Sequence, residues 1–170
     1  MYRRPSFDKR YYLQCTTLAA QATREVIVRK EPDCEDLRNE DGLKAIPLIA
    51  ATCGLVHDIG NPPFGHAGEL AMGTWYQELF HRKSSKSMVK SLGGSASQRV
   101  RDFTQFEGNA HGLRILTNMR LLADDYGLNL TAATIASACK YVAPSHKFKK
   151  DGSHERSKPG YFRSEADRLE

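Results

Sequence analysis

Between Val56 and Glu69 the chain reads VHDIGNPPFGHAGE, and the Gly60-Asn61-Pro62-Pro63 run at its centre constrains the fold most strongly. Two consecutive prolines have no N–H to donate, and each fixes φ near about −65°. The residue before a proline is pushed out of the helical region. A helix arriving from either side must therefore stop there. Upstream, Ile46, Ile49, Ala50, Cys53 and Val56 recur at spacings of three and four, which predicts a helix from about 43 to 58. Downstream, Ala71, Trp75 and Leu79 share one helical face, with Met72, Tyr76 and Phe80 beside them. A second helix should start near His66. The local fold is then helix, sharp reversal, helix.

The same periodicity runs through most of the chain. Leu18, Ala22 and Val26 mark an early helix, and EPDCEDLRNEDG (31–42) reads as an acidic loop. Ala110, Leu113, Leu116 and Leu121 predict a long helix over about 103–123, followed by a turn at Asp125-Tyr126-Gly127. Thr131 is a good N-cap for a helix over TAATIASACKYV, which Pro144 ends. Residues 145–160 are polar and basic. No segment alternates as a strand does, so the expected fold class is all-α. A chain of 170 residues is expected to form one domain. Ser, Gly and Lys dominate residues 81–98, which read as a flexible basic loop.

Charge and cysteine placement bound the function. Residues 81–101 carry Arg82, Lys83, Lys86, Lys90, Arg99 and Arg101 with no acid among them. Such a block suits a polyanion, either a nucleotide or a nucleic acid, although a solvated basic surface looks the same. No apolar run approaches a membrane span, and the basic N-terminus lacks the apolar core of a signal peptide. Cys15, Cys34, Cys53 and Cys139 form no CxxC pair, which argues against a zinc knuckle. Reduced, buried thiols in a cytoplasmic protein are the simplest reading.

The central stretch is rich in reactive groups. His57 and Asp58 close the upstream helix, where both can reach one metal ion. Imidazole with carboxylate suits Mn, Fe, Zn or Mg. His66 and Glu69 are three apart and share a helix face. A histidine beside a carboxylate can act as general acid or base. The start of the second helix also favours anions. Two prolines, a phenylalanine and two glycines between two histidines would be a costly way to build a plain turn.

Taken with three downstream motifs, this run resembles the HD-domain deoxyguanosine triphosphate triphosphohydrolases. HDIGNPPFGHAGE looks like that family's signature, and FEGNAHGLRIL from Phe106 resembles its FEGNAQ motif. The Lys140-Tyr141 pair and KPGYF (158–162) are weaker matches. The resemblance spans about 43–165. It implies an HD-like helical bundle, here an incomplete version of the family fold. It also implies divalent-metal hydrolysis of a deoxynucleoside triphosphate to the deoxynucleoside and inorganic triphosphate. Carried over by motif, His57 and Asp58 would bind metal, with His66 the catalytic histidine and Glu69 its orienter. Asn109, Lys140, Tyr141 and Lys158 would line the triphosphate. Read alone, the same residues have other uses. Asn109 can cap a helix start, Lys140 can complement a helix C-terminus, Tyr141 can pack, and Lys158 can be a solvated loop residue.

The pattern departs from the family in two places. The resemblance implies an early histidine ligand, yet no His precedes His57, and Tyr11 stands about where it belongs. It also implies a late aspartate, and neither Asp151 nor Asp167 has the right context. Two ligands alone bind metal weakly. Two functional readings follow: the triphosphohydrolase, with this chain a segment of weak or no activity, or a non-catalytic module that binds nucleotide or another subunit. A third, hydrolysis of another phosphoester, is disfavoured by FEGNA and KPGYF. The partners expected are the nucleotide, a homo-oligomer and, more weakly, single-stranded nucleic acid. His111 replaces the family glutamine and is assigned no role; His81, His146 and His154 are expected to be solvated.

Overall fold

The computed structural model describes residues 9–30, 40–119, 127–149 and 153–169. The chain is mainly helical. Helix α1 is Lys9–Lys30 and α2 is Glu40–Val56. Then come α3 (His66–His81), α4 (Lys86–Ser91), α5 (Gln98–Thr104) and α6 (Gly108–Asn118). The series closes with α7 (Ala132–Ala138) and α8 (Ala166–Leu169). Tyr11's side chain, Asp151, Cys34, Leu121 and the Asp125-Tyr126 turn lie outside the described residues, as does the acidic segment up to residue 39.

Contacts divide the chain into two units. The first contains α1, α2 and all of α7 but its last residue; the second begins at Asp58. Within the first unit α1 and α2 pack closely. A Cβ on Gly54 would lie only 2.6 Å from Thr16 Oγ1, so glycine is what allows the approach. Pro47 sits inside α2 and is buried. It removes one helical hydrogen bond, and the apolar periodicity around it outweighs that loss.

The second unit holds the larger core. Val100, Ala110, Leu113, Leu116, Tyr141, Ala143, Phe162 and Ala166 are buried there. An aromatic group joins α3 to α5, with the Tyr76 and Phe103 rings 4.9 Å apart and Phe80 at 6.1 Å from Phe103. Two polar links tie the C-terminal segment to this core. Asp102 on α5 accepts from Ser145 Oγ (2.6 Å) and from the Arg163 N–H (2.8 Å). Buried Glu165 accepts from Arg114 Nε (3.1 Å) and Asn118 Nδ2 (2.8 Å) on α6.

Three sequence expectations need correction here. The helix expected over 103–123 is two helices. α5 ends at Thr104, Gln105 leaves helical geometry, and Glu107 is extended (φ −140°, ψ 128°) before α6 starts. Capping overrides periodicity: Ser97 Oγ accepts from the Val100 N–H at 3.3 Å, and the Glu107 carboxylate accepts from the Asn109 N–H at 2.7 Å. The segment 81–98 is not a loop throughout. It contains a 3₁₀ turn (Lys83–Ser85) and α4, which ends at Gly93 and Gly94 with φ of 96° and 88°. Those glycines are a helix stop rather than a linker. Finally, the helix after Thr131 ends at Ala138, well before Pro144. Ala143–Pro144 instead forms a short strand, β1, parallel to β2 (Pro159–Tyr161). Strands of two and three residues are too short to show alternation.

No helix among the described residues is long and apolar enough to cross a membrane. Cys53 and Cys139 are half-buried, and burial pushes the Cys53 thiol up despite an opposing backbone hydrogen bond.

Candidate active site

Asp58–Gly65 forms a tight turn ahead of α3. The Asn61 N–H bonds Asp58 O (3.1 Å), its Nδ2 donates to Asp58 Oδ1 (2.9 Å), and the Gly65 N–H bonds Pro62 O (3.0 Å). Phe64 and Gly65 both have positive φ, 68° and 56°, which turns the chain into α3. Phe64 is 91% exposed at that bend.

The turn docks on α6 through glycines. A Cβ on Gly60 would collide with the Gly108 carbonyl oxygen and with the Gly112 nitrogen and Cα. A Cβ on Gly108 would collide with Asn61 Oδ1 and come within 2.7 Å of Glu69 Oε1. His111 Nδ1 lies 3.0 Å from Gly60 O, a further tie between the two motifs. The residue left without a role in the sequence thus has a structural one.

Glu69 stands in the first turn of α3 and is 8% exposed. Its Oε2 lies 2.7 Å from His66 Nδ1, and its Oε1 accepts from the Gly108 N–H at 2.8 Å. One carboxylate therefore orients the histidine and satisfies the start of α6. With Glu69 ionised, His66 carries its proton on Nδ1 and keeps the Nε2 lone pair. The His66 side chain is 79% exposed, so Nε2 can reach solvent or ligand.

His66 and Glu69 line a cleft of about 580 Å³ together with Glu107 and Lys158. Lys158 Nζ is 3.2 Å from Glu107 Oε1. Burial works against the lysine's charge, but the Glu107 carboxylate, with Tyr141 and Glu69, more than offsets it. The ammonium is held above its ordinary range. Lys158 is thus tied to Glu107 rather than freely solvated.

The other expected substrate residues lie around this cleft rather than along it. Asn109 is inside α6, and its Nδ2 donates to Glu107 Oε1 at 3.0 Å. It is not the N-cap; Glu107 is. Tyr141 is buried, and the ammonium groups of Lys140 and Lys158 lie 5.4 and 5.8 Å from its ring centroid. The ring is a platform for two cations. Lys140 lies two residues beyond the end of α7. His57 belongs to the first unit, where its Nδ1 is 2.8 Å from Gly54 O. Among the described residues no group of three or more His, Cys, Asp or Glu gathers to hold a metal ion. Asp167 pairs with Arg163 Nη1 (3.2 Å).

Sequence reasoning missed Glu107. The available signal was an acidic residue directly before Gly108-Asn109, a place where a carboxylate can cap. A second cavity of about 540 Å³ shares Phe106 with the first and is lined by Arg99, Arg114 and Arg163 among aromatic side chains.

Known proteins resemble this chain in sequence over most of its length. Residues 27–104 match the HD domain family model. The chain is 41% identical over 124 residues to a deoxyguanosinetriphosphate triphosphohydrolase-like protein of Listeria monocytogenes, covering 72% of this chain and 26% of that protein. A protein of the same description from Synechocystis is 41% identical over 125 residues, covering 71% and 27%. The deoxyguanosinetriphosphate triphosphohydrolase of Salmonella typhimurium is 34% identical over 157 residues, covering 77% and 30%. The chain thus spans between about a quarter and a third of the length of these relatives. Over these stretches the chain is similar to the HD domain family and to deoxyguanosinetriphosphate triphosphohydrolase-like proteins.

Proposed function

We propose that this chain carries the general acid–base and phosphate-binding part of a deoxynucleoside triphosphate triphosphohydrolase site, with dGTP the first candidate substrate. The observation that carries the reading is the buried Glu69 carboxylate, which holds His66 Nδ1 at 2.7 Å at the edge of a cleft that also contains Lys158. In the reaction, water adds to the α-phosphorus and the bond to the 5′ oxygen breaks. Inorganic triphosphate and the deoxynucleoside leave. His66 Nε2 handles the proton of the attacking water or of the departing 5′ oxygen. Lys158 and Lys140 offset charge on the triphosphate, and Asn109 and Tyr141 complete its surroundings.

Proteins with HD domains generally work with a divalent metal, and the motif assigns His57 and Asp58 to it, with Mg or Mn the metals to test. Among the described residues no third His, Cys, Asp or Glu gathers with them. A second reading, in which the chain binds nucleotide or another subunit without turnover, rests on the Lys140 and Lys158 ammonium groups held at the Tyr141 ring. Exposed Leu70 and Trp75 on α3 support homo-oligomer formation. The basic run at 81–101 supports contact with single-stranded nucleic acid. The half-buried Cys53 thiol fits a cytoplasmic setting.

The test is incubation with dGTP and Mn or Mg, with deoxyguanosine and triphosphate followed by chromatography. Turnover that disappears in His66→Ala establishes the hydrolase. Binding of dGTP without products establishes the module. Turnover unaffected by His66→Ala removes the assignment of His66.

A further inference from the structure

Glu107 has no part in the reaction outlined above, yet it is the most connected group at the cleft. It is 3% exposed. Its Oε2 accepts from the Asn109 N–H at 2.7 Å, and its Oε1 accepts from Asn109 Nδ2 at 3.0 Å and from Lys158 Nζ at 3.2 Å. Capping α6 requires only the first of these. The other two reach one side chain on α6 and one residue immediately before β2, 51 positions further on. One buried carboxylate therefore gathers two of the four groups expected to meet phosphate.

The sign of its charge makes this informative. A carboxylate beside a site for a polyanion weakens the attraction, and a buried one also loses hydration. A site selected for raw attraction would have a neutral cap here. What the carboxylate returns is fixed geometry. A lysine loses much rotamer freedom when it is immobilised. Immobilising it before the ligand arrives removes that cost from binding. The ammonium has three donors, so Lys158 can keep Glu107 and still donate to a phosphate oxygen.

We infer that Glu107 is a positioning residue: it holds the Asn109 amide and the Lys158 ammonium together at the His66–Glu69 cleft, in the orientation from which they meet a polyphosphate. The inference rests on the reading of that cleft as a triphosphate site. Its mechanical part, one carboxylate fixing two side chains, stands without ligand.

Binding of inorganic triphosphate to the full chain, measured by titration calorimetry, separates positioning from plain electrostatics because the two have opposite signs. Glu107→Gln removes the negative charge at nearly constant shape. If Glu107 positions, the variant binds about tenfold more weakly, and Glu107→Asp recovers part of the loss. If Glu107 only repels the ligand, Glu107→Gln binds equally or more tightly, and the proposal is overturned. A ligand-free measurement on the native chain covers the case of a variant that fails to fold. The Lys158 ammonium and the Asn109 side-chain amide are followed by nuclear magnetic resonance. Slow solvent exchange at both, compared with Lys83 and Asn129, is expected. Exchange as fast as at those exposed residues overturns the proposal. Should native protein bind no triphosphate, the reading of the cleft fails, and the exchange measurement alone decides the role of Glu107.

Discussion

Replacing Gly60 by alanine tests the contact that joins the two principal motifs. Gly60 is buried where the turn meets α6, and an added Cβ would overlap the Gly108 carbonyl oxygen, the Gly112 nitrogen and, at 2.6 Å, the Gly112 Cα. Carbon atoms in contact ordinarily sit about 3.5–4.0 Å apart, so the turn and the helix must separate by about 1 Å. All three obstructing atoms are backbone and none can rotate aside. Overpacking a tight site costs about 1–3 kcal/mol, and a backbone obstruction places Gly60→Ala near the upper end, at about 3 kcal/mol. For a chain of this size about 1 kcal/mol lowers Tm by about 2–4 °C, so a loss of about 6–12 °C is expected. Gly112→Ala is the matched control. Its Cβ would find nothing nearer than 3.6 Å, an ordinary contact. Alanine is also favoured over glycine inside a helix by about 0.8–1.0 kcal/mol, so this variant should melt slightly higher. Thermal unfolding by circular dichroism reads both. An unchanged Tm for Gly60→Ala, or equal losses in the two variants, would refute the close-approach argument.

Substitutions at three further positions probe the charged groups. Glu69→Ala leaves the Gly108 N–H without its acceptor, which should cost about 1–3 kcal/mol in urea unfolding; Glu69→Gln, which keeps an acceptor oxygen, should lose less, and the reverse order would contradict the assignment. Lys158 stands above its ordinary 10.5, so its contribution is full below that value and fades as pH rises through the folded value. The Tm deficit of Lys158→Met should therefore be constant up to about pH 10 and shrink beyond it; a deficit that widens with alkalinity would be the opposite sign. Burial, against the Ser145 and Arg163 hydrogen bonds, raises Asp102. The folded state then holds that proton more tightly than the unfolded one, and folding gains as pH falls through the folded value. Asp102→Asn should lose this gain, seen as a flatter dependence of the urea midpoint on acid pH; parallel curves would show that Asp102 is not its source.

The parts of the fold that were legible in sequence are those governed by strong local rules. Pro62-Pro63 stops α2 from passing into α3 wherever the rest of the chain goes. The face of α3 could be read because Ala71, Trp75 and Leu79 repeat over three turns. His66 and Glu69 were legible as a pair because helical spacing alone brings them together. The break at Gln105–Glu107 was not, since apolar periodicity continues across it and only the caps reveal it. α4 was hidden by composition: its Ser and Lys residues resemble a linker, and Gly93-Gly94 end a helix as readily as they make a loop. Lys158 and Glu107 are 51 residues apart and meet only because β2 lies against β1 and α6. No local pattern contains that pairing. His111 shows the same limit, because its partner is a backbone carbonyl in a distant turn.

Phe106 has a consequence of a different kind. Its half-buried ring lies 5.4 Å from the His111 ring and 5.9 Å from Phe162, and it belongs to the lining of both cavities. The acidic-and-lysine chamber and the arginine chamber thus have Phe106 in common. Neither can be reshaped at that position alone. A ligand that tilts the ring to fit one chamber alters the volume of the other, and a smaller residue there would open a doorway between them.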